Sequence, residues 1–329
     1  MTEFQHRFAH TNGIRMHYVE AGAGPTVVLC HGFPESWYSW RHQLRALAEA
    51  GFRAIAPDQR GYGETDAPVE VEAYGLCQLT GDIVGLLYDL GVSNAVIVGH
   101  DWGAPVAWTT ALLRPDLITG VALLSVPYLQ GLWGGPPPTE AMRAMVGDQY
   151  TFYQLYFQEE GVAEAELAED PARSLSGIYY AASAEGRAEG RVLGMFPKTE
   201  RFIDNLPRAP RLPAWLDNQD FDYFVQQFEK SGFRGPVNWY RNLDRNGRML
   251  SFLKNAKVQQ PAVFLAGEHD AVVNLYRKAY DELETTMPKL RQKILAPGAG
   301  HWVQQEQPEA ASRALVEFCR HLHARGAAA

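Results

Sequence analysis

The sequence predicts an α/β fold in which a mostly parallel, twisted sheet is flanked by helices and carries an inserted helical segment. Short apolar runs alternate with helical stretches in the first third of the chain, and this alternation resumes after residue 257. The segment between shows no strand alternation. Strands that alternate with helices form parallel sheets covered on both faces. A chain of 329 residues is long enough for one such core and an insertion.

Hydrophobic patterning places the first elements. Apolar runs predict strands, in chain order, at 16–19, 27–30, 54–56, 95–98 and 120–126. The third of these ends at Asp58. Helices are predicted at 40–50, 79–90 and 104–113.

The later part of the chain divides into an insertion and a return to the core. From 128 to 257 the sequence is rich in Ala and Glu, contains many Tyr and Trp, and is punctuated by Gly134-Gly-Pro-Pro-Pro138. Strands at 262–266 and 293–295 and a helix from Pro308 to about Leu322 follow. We therefore predict a core formed by 1–127 and 258–329, with a helical cap at 128–257. A cap excludes water and shapes a pocket for an apolar substrate.

Composition excludes several classes of partner. The net charge is −8 and the isoelectric point is about 5.7, which argues against nucleic acid or an anionic membrane as a partner. No run reaches transmembrane length, and the N-terminus has no signal-peptide core. Cys30, Cys77 and Cys319 are too far apart for a disulfide framework or metal site. We predict a cytoplasmic protein without metal or cofactor, either a monomer or a homodimer.

The segment Gly99-His100-Asp101-Trp102-Gly103 is the most informative motif. It lies between the predicted strand at 95–98 and the predicted helix that begins at 104. A strand, a tight turn and a helix, with small residues two positions on either side of a reactive side chain, form the nucleophile elbow of α/β-hydrolases. The glycines allow a strained turn and a close approach of the backbone. The motif therefore predicts an α/β-hydrolase fold with Asp101 as the nucleophile.

An aspartate at the elbow changes the chemistry that the fold can perform. A carboxylate is ionised at pH 7 without a base. Its attack on an acyl carbon would give an unfavourable anhydride, whereas its attack on a saturated carbon gives an alkyl ester that water can cleave. Haloalkanes and epoxides contain such carbons. The sequence therefore predicts a small-molecule substrate of one of these classes, with water as the second substrate.

A base and an orienting acid are expected after the nucleophile in the chain. His301 follows the last predicted core strand in a Gly-rich loop, so we predict that it activates water. We expect it to be neutral, since an unperturbed histidine has a pKa of about 6.5. Asp270 is the favoured acid, because it lies just past the strand at 262–266. Glu268 is the alternative, and His269 between them is expected to face solvent.

Backbone N–H groups should form the oxyanion hole. One comes from the residue after the nucleophile, Trp102, and the other from the loop His31-Gly-Phe-Pro34. Phe33 is the natural donor in that loop, because Pro34 has no N–H. We also expect Phe33 and Trp102 to contact the substrate. His31 and His100 are interpreted as structural.

The leaving group distinguishes epoxides from haloalkanes. A halide needs only weak N–H donors, whereas an epoxide opens to an alkoxide and needs a proton donor such as tyrosine, whose pKa is about 10. The predicted cap offers seven candidates: Tyr150, Tyr153, Tyr156, Tyr179, Tyr180, Tyr223 and Tyr240. Physical reasoning on the sequence does not choose between the two substrates.

The chain resembles the soluble epoxide hydrolases of the α/β-hydrolase superfamily. The matching strings span core and cap: His31-Gly-Phe-Pro-Glu-Ser-Trp-Tyr-Ser-Trp-Arg41, Asp58-Gln-Arg-Gly-Tyr-Gly63, Gly99-His-Asp-Trp-Gly103, Tyr153-Gln-Leu-Tyr-Phe-Gln158, Gly232-Phe-Arg-Gly-Pro-Val-Asn-Trp-Tyr-Arg241 and Gly300-His-Trp302. In that family two cap tyrosines polarise the epoxide oxygen. The resemblance assigns this role to Tyr153 and Tyr240.

Other functions fit the sequence less well. Haloalkane dehalogenases usually carry Asn or Glu where Phe33 stands and lack the two tyrosine strings. Fluoroacetate dehalogenases place arginines just after the nucleophile, where this chain has Trp102 and Pro105. Receptors or binding modules of this fold can lose the catalytic residues, whereas Asp101, Asp270 and His301 are all present here.

Overall fold

The protein is described by a computed structural model that covers residues 3–190, 194–208 and 211–326. Residues 191–193 and 209–210 of the predicted cap, and 327–329 of the predicted C-terminal part, lie outside these ranges.

A mostly parallel sheet of eight strands forms the centre of the structure, which confirms the predicted fold class. Its strands are β1 (Gln5–Thr11), β2 (Ile14–Ala21), β3 (Thr26–Cys30), β4 (Arg53–Pro57), β5 (Ala95–His100), β6 (Ile118–Leu124), β9 (Ala262–Gly267) and β10 (Leu290–Ala296). The strand order is β1-β2-β4-β3-β5-β6-β9-β10. β2 pairs antiparallel with β1 and with β4, and every other neighbouring pair in the sheet is parallel.

The edge strand β1 was not predicted, because most of its side chains are polar and exposed. Hydrophobic patterning detects a strand only where one face is buried. The turn after β1 carries the better signal. Asn12 and Gly13 both have positive φ angles, 47° and 80°, and an Asn-Gly pair is the strongest short-range indicator of a hairpin.

Helices cover both faces of the sheet. Those of the core are α1 (Arg41–Glu49), α2 (Leu76–Asp89), α3 (Gly103–Leu113), α13 (Ala271–Leu275), α14 (Arg277–Asp281), α15 (Leu283–Thr286), α16 (Val303–Glu306) and α17 (Pro308–Gly326). One apolar cluster joins the sheet to α1 and α17, and a second joins its other face to α2, α3 and the insertion. Short 3-10 turns occur at Trp37–Trp40, Val71–Tyr74, Gln130–Leu132 and Ser251–Leu253.

The insertion between β6 and β9 is mainly helical. Its helices are α4 (Pro138–Val146), α5 (Tyr153–Tyr156), α6 (Val162–Ala168), α7 (Pro171–Ala182), α8 (Ala184–Ala188), α9 (Phe202–Asn205), α10 (Asn218–Ser231), α11 (Arg234–Arg241) and α12 (Leu243–Met249). It also contains two short strands that the sequence pattern did not predict. β7 (Tyr150–Phe152) and β8 (Met195–Pro197) form an antiparallel ribbon, and three residues are too few to show an alternating pattern.

The parallel strands end on the side of the sheet that faces the insertion. The loops after β3, β5, β6, β9 and β10 carry, in that order, Phe33, Asp101, Ser125, Asp270 and His301. In open parallel sheets the carboxyl ends of the strands are where ligands bind. Among the described residues, none of the helices is both long enough and apolar enough to cross a membrane.

Candidate active site

Asp101 lies in a strained turn between β5 and α3. Its φ angle is 49°, in the left-handed region that non-glycine residues seldom occupy. Glycines on either side allow this turn. A Cβ added to Gly99 would collide with the Gly103 backbone, and one added to Gly103 would collide with the Cys30 carbonyl. The tight packing of the elbow against β3 thus holds the carboxylate at the end of the sheet.

The Asp101 carboxylate has a partner on each side. The Phe33 N–H donates to Oδ1 at 2.8 Å, and Nε2 of His301 lies 3.5 Å from Oδ2. A Cβ at Gly32 would collide with the carboxylate and with the Trp102 backbone nitrogen. The loop after β3, the nucleophile and the Trp102 N–H therefore meet at one point, and of the two expected oxyanion donors the Phe33 N–H is hydrogen-bonded to the Asp101 side chain.

The environment keeps Asp101 ionised. Burial by itself would raise the pKa of this carboxyl group. The hydrogen bond and charge of His301 outweigh burial and hold the pKa of Asp101 below its ordinary value. A nucleophilic carboxylate is therefore available without prior deprotonation.

His301 reaches Asp270 through its other ring nitrogen. Nδ1 lies 3.4 Å from Oδ1 of Asp270, which is 1% exposed and also accepts the Val272 N–H at the start of α13. Glu268, the alternative acid, is exposed, and so is His269. The structure therefore brings Asp270, and not Glu268, to the histidine.

The surroundings of His301 shift the pKa of the imidazole away from the unperturbed value. Burial would lower its pKa, but the charge of Asp270 and the hydrogen bond to Asp101 raise the pKa of His301 well above the ordinary value. Burial also opposes ionisation of Asp270, whereas the charge of His301 holds the pKa of Asp270 below its usual range. The unperturbed value does not apply to His301, because two carboxylates flank the imidazole.

Ser125 belongs to the site but was not predicted from the sequence. Its Oγ lies 2.8 Å from Nδ1 of His301, closer than Asp270 does. A serine just after β6 carries no distinguishing sequence signal. The structural signal is its φ angle of 69°.

A buried polar network lies behind the two catalytic candidates. His100 Nδ1 is 3.0 Å from Glu35 Oε2, and its Nε2 is 2.8 Å from the His301 carbonyl oxygen. Glu35 also accepts from the Gly32 N–H and from Gln304. These contacts tie the loops after β3, β5 and β10 together, in agreement with the structural role expected for His100. His31 similarly accepts the Gln59 N–H through Nε2 at 3.0 Å.

Two of the seven cap tyrosines line the cavity in front of Asp101. They are Tyr153, the first residue of α5, and Tyr240 in α11, with ring centroids 5.8 Å apart. Burial, with the nearby charge of Asp101, raises the pKa of both phenols, and a hydrogen bond to Tyr153 contributes at Tyr240. Both therefore stay protonated at neutral pH and can donate.

The other five tyrosines do not line this cavity. The hydroxyl of Tyr156 donates to Glu166, that of Tyr179 to the Pro34 carbonyl, and that of Tyr223 accepts from Trp37. Tyr150 is 48% exposed, and Tyr180 hydrogen-bonds Glu189.

The cavity has a volume of about 330 Å³ and mostly apolar walls. Phe33, Phe152, Ile178 and Trp302 contribute to these walls. Among the described lining residues, Arg187 is the only charged one besides Asp101, Asp270 and His301. The Trp102 ring packs edge-on against the Tyr240 ring at a centroid distance of 5.1 Å and so helps to hold Tyr240 in place. Within the described parts of the chain, no cluster of three His, Cys, Asp or Glu could hold a metal ion.

The chain is similar to known proteins over nearly its whole length. The family model of the alpha/beta hydrolase fold matches residues 25–308. The chain is 44% identical to epoxide hydrolase A of Mycobacterium tuberculosis, over 97% of this chain and 98% of that protein. It is 41% identical to bifunctional epoxide hydrolase 2 of Sus scrofa over 93% of this chain, but spans only 53% of that protein. A solved epoxide hydrolase from an endophytic Streptomyces superposes with a TM-score of 0.92 at 42% identity, covering 97% and 96% of the two chains.

Proposed function

We propose, from the premise that this chain belongs to the epoxide hydrolases of the α/β-hydrolase family, that it converts an epoxide and water into a vicinal diol. The observation that carries the proposal is that Tyr153 and Tyr240 line the same cavity as the Asp101 carboxylate. A carboxylate nucleophile and two neutral proton donors in one apolar cavity are what ring opening requires.

The first step is alkylation of Asp101. The carboxylate attacks one epoxide carbon, the carbon–oxygen bond of the ring breaks, and an alkyl ester forms on the enzyme. Tyr153 and Tyr240 donate hydrogen bonds to the departing oxygen, and one of them supplies the proton that turns the alkoxide into a hydroxyl. That tyrosine regains a proton from solvent, so this step consumes one proton. The apolar walls exclude water that would compete as a nucleophile.

The second step is hydrolysis of the ester. His301 takes a proton from a water molecule, which attacks the ester carbonyl of Asp101. The Phe33 and Trp102 N–H groups stabilise the negative charge on the carbonyl oxygen. The carboxylate of Asp270 stabilises the imidazolium that forms. When the intermediate collapses, the bond between the carbonyl carbon and the substrate oxygen breaks and the proton of the added hydroxyl passes to that oxygen, so that the diol and the Asp101 carboxylate form. His301 then loses to solvent the proton it took from water, which balances the one consumed earlier.

The remaining features fit this proposal. The substrates are a small epoxide and water, without metal or cofactor. Cys30, Cys77 and Cys319 are free thiols, which supports the proposed cytoplasmic location because a reducing compartment keeps cysteines unpaired.

Isotope labelling in a single turnover tests the proposal. Enzyme in excess over styrene oxide is mixed in water enriched in oxygen-18, and the diol and a peptide containing Asp101 are analysed by mass spectrometry. The attacking water enters the aspartate carbonyl, so the first-turnover label should appear in Asp101 and not in the diol. Label in the first-turnover diol would show direct attack by water and refute the covalent mechanism. Asp101→Asn should show neither product nor label.

A further inference from the structure

Ser125 occupies an unusual backbone position at the end of β6. Its N–H donates to the Leu265 carbonyl on β9 at 2.9 Å, and its φ angle is 69°. Left-handed backbone is unfavourable for residues with a Cβ and is accommodated without strain by glycine. The side chain is fully buried and does not line the cavity. Ser125 therefore occupies a strained backbone position, and its side chain lies outside the cavity in which a substrate would bind.

The hydroxyl of Ser125 lies between the imidazole and its acid. Oγ is 2.8 Å from Nδ1 of His301, whereas Asp270 Oδ1 is 3.4 Å from the same nitrogen. The usual range for an N–H···O bond is about 2.7–3.2 Å, so serine makes the better contact. Ser125 also favours the ionised form of Asp270 and so contributes to the lowered pKa of that carboxyl group.

The donor and acceptor capacity of these groups allows an arrangement of hydrogens that connects all three of them. An ionised carboxylate can only accept, whereas a hydroxyl donates once and also accepts. In this arrangement the Ser125 O–H points to the Asp270 carboxylate, which leaves Oγ free to accept the Nδ1–H of His301 at 2.8 Å. With the proton on Nδ1, a neutral ring leaves Nε2, which faces Asp101, free to accept a proton from water.

We propose that Ser125 is a positioning residue for ester hydrolysis, linking Asp270 to His301 and holding the imidazole in the tautomer whose Nε2 acts as base. The inference rests on the proposed function, because it requires that ester hydrolysis uses His301 and that ester formation does not. It also accounts for the strained φ angle, since a glycine would relieve the strain but would lose the hydroxyl.

Two substitutions separate the hydroxyl from the backbone. Ser125→Ala removes the hydroxyl and keeps the strain, and Ser125→Gly removes both. Ser174→Ala is the matched control, because it deletes another fully buried hydroxyl, which bonds the Leu167 carbonyl in the cap. Each variant is mixed rapidly with styrene oxide, and the reaction is quenched at a series of times. The amount of ester on the protein is then measured by intact-protein mass spectrometry.

The two steps should respond differently. Ester formation should keep the wild-type rate in all three variants. Ester decay should slow by roughly tenfold in both Ser125 variants, as expected for loss of one hydrogen bond to an ionised pair, and should be unchanged in Ser174→Ala. Ser125→Gly should melt at a higher temperature than Ser125→Ala although both lose hydrolysis.

Several results would overturn the inference. Wild-type decay rates in both Ser125 variants would show that the hydroxyl is dispensable. A decay rate restored in Ser125→Gly along with its stability would assign Ser125 a structural role only. Failure of the wild-type protein to form an ester or a diol would instead refute the proposed function, so the two failures are distinguishable.

Discussion

Replacing the two cavity tyrosines by phenylalanine tests the step that defines the proposed substrate class. Tyr153→Phe and Tyr240→Phe each delete one hydroxyl and keep the ring. The rings should stay in place, because Tyr240 packs edge-on against Phe33, Trp102 and Phe157 at centroid distances of 5.1–5.4 Å. Loss of rate can therefore be attributed to the missing donor.

The expected loss follows from the charge that develops on the epoxide oxygen. A hydrogen bond to a charged group contributes about 1.5–3 kcal/mol. Each factor of ten in rate corresponds to about 1.4 kcal/mol, so each single variant should slow alkylation by roughly 10- to 150-fold. If both hydroxyls bond the same oxygen, the double variant should lose about 10²- to 10⁴-fold. Ester hydrolysis should keep its rate, since the alkoxide is already protonated by then.

Stopped-flow tryptophan fluorescence can follow alkylation. Trp102 directly follows Asp101 in the chain and packs against Tyr240, so formation of the ester should change its emission. Tyr156→Phe is the matched control. Tyr156 lies one turn from Tyr153 on α5, but its hydroxyl donates to Glu166 at 2.7 Å and does not line the cavity.

The double variant decides the outcome. An alkylation rate within about threefold of wild type would mean that neither hydroxyl stabilises the leaving oxygen. The reasoning would then be wrong, and a leaving group that needs no proton, such as halide, would become the better hypothesis. An equal loss in Tyr156→Phe would show that the effect arises from packing in the cap.

Three further predictions follow from the same geometry. His301→Gln should alkylate normally but trap the ester, visible as protein plus substrate by intact mass, and Asp270→Asn should slow ester decay less severely because the base remains. Ester decay should slow as the pH falls, because His301 becomes protonated and can no longer act as a base. In contrast, kcat/KM should stay flat from about pH 5 to pH 9, because the pKa of Asp101 lies below its ordinary value and both tyrosine pKa values lie above theirs. Rapid-quench measurements across this pH range check both predictions. Arg187→Gln should lower kcat/KM for an epoxide bearing a carboxylate relative to its methyl ester by about tenfold, with the exposed Arg248→Gln as a charge-matched control.

The parallel half of the fold could be predicted because its strands are buried on both faces. The strands β3, β5, β6 and β9 are apolar runs, and the predicted boundaries differ from the observed ones by one or two residues. The ribbon of β7 and β8 could not be predicted, since it depends on pairing between segments more than forty residues apart. Patterning within one short segment contains no information on such a partner.

The candidate site divides in the same way. Asp101 lies between two glycines just after the apolar strand β5, and His301 lies in a glycine-containing loop after β10, so their position in the sequence marks them. Ser125 follows β6 without any such signal, because its role depends on where β9 and β10 place Asp270 and His301. The sequence identifies reactive residues whose turns require glycines nearby. It does not identify a hydroxyl whose role depends on residues that are distant in the chain.

The charge of His301 connects the two proposed steps. While Asp101 is ionised, the charge of Asp270 and the hydrogen bond and charge of Asp101 raise the pKa of His301 well above its ordinary value. Alkylation removes the charge of Asp101, because the carboxylate becomes a neutral ester. Burial, which opposes the charged imidazole, is then balanced by Asp270 alone, so the pKa of His301 falls. His301 thus releases its proton more readily once the ester has formed, and the neutral imidazole is then free to accept a proton from water. The charge of one shared carboxylate therefore links the state of His301 to the step that needs it.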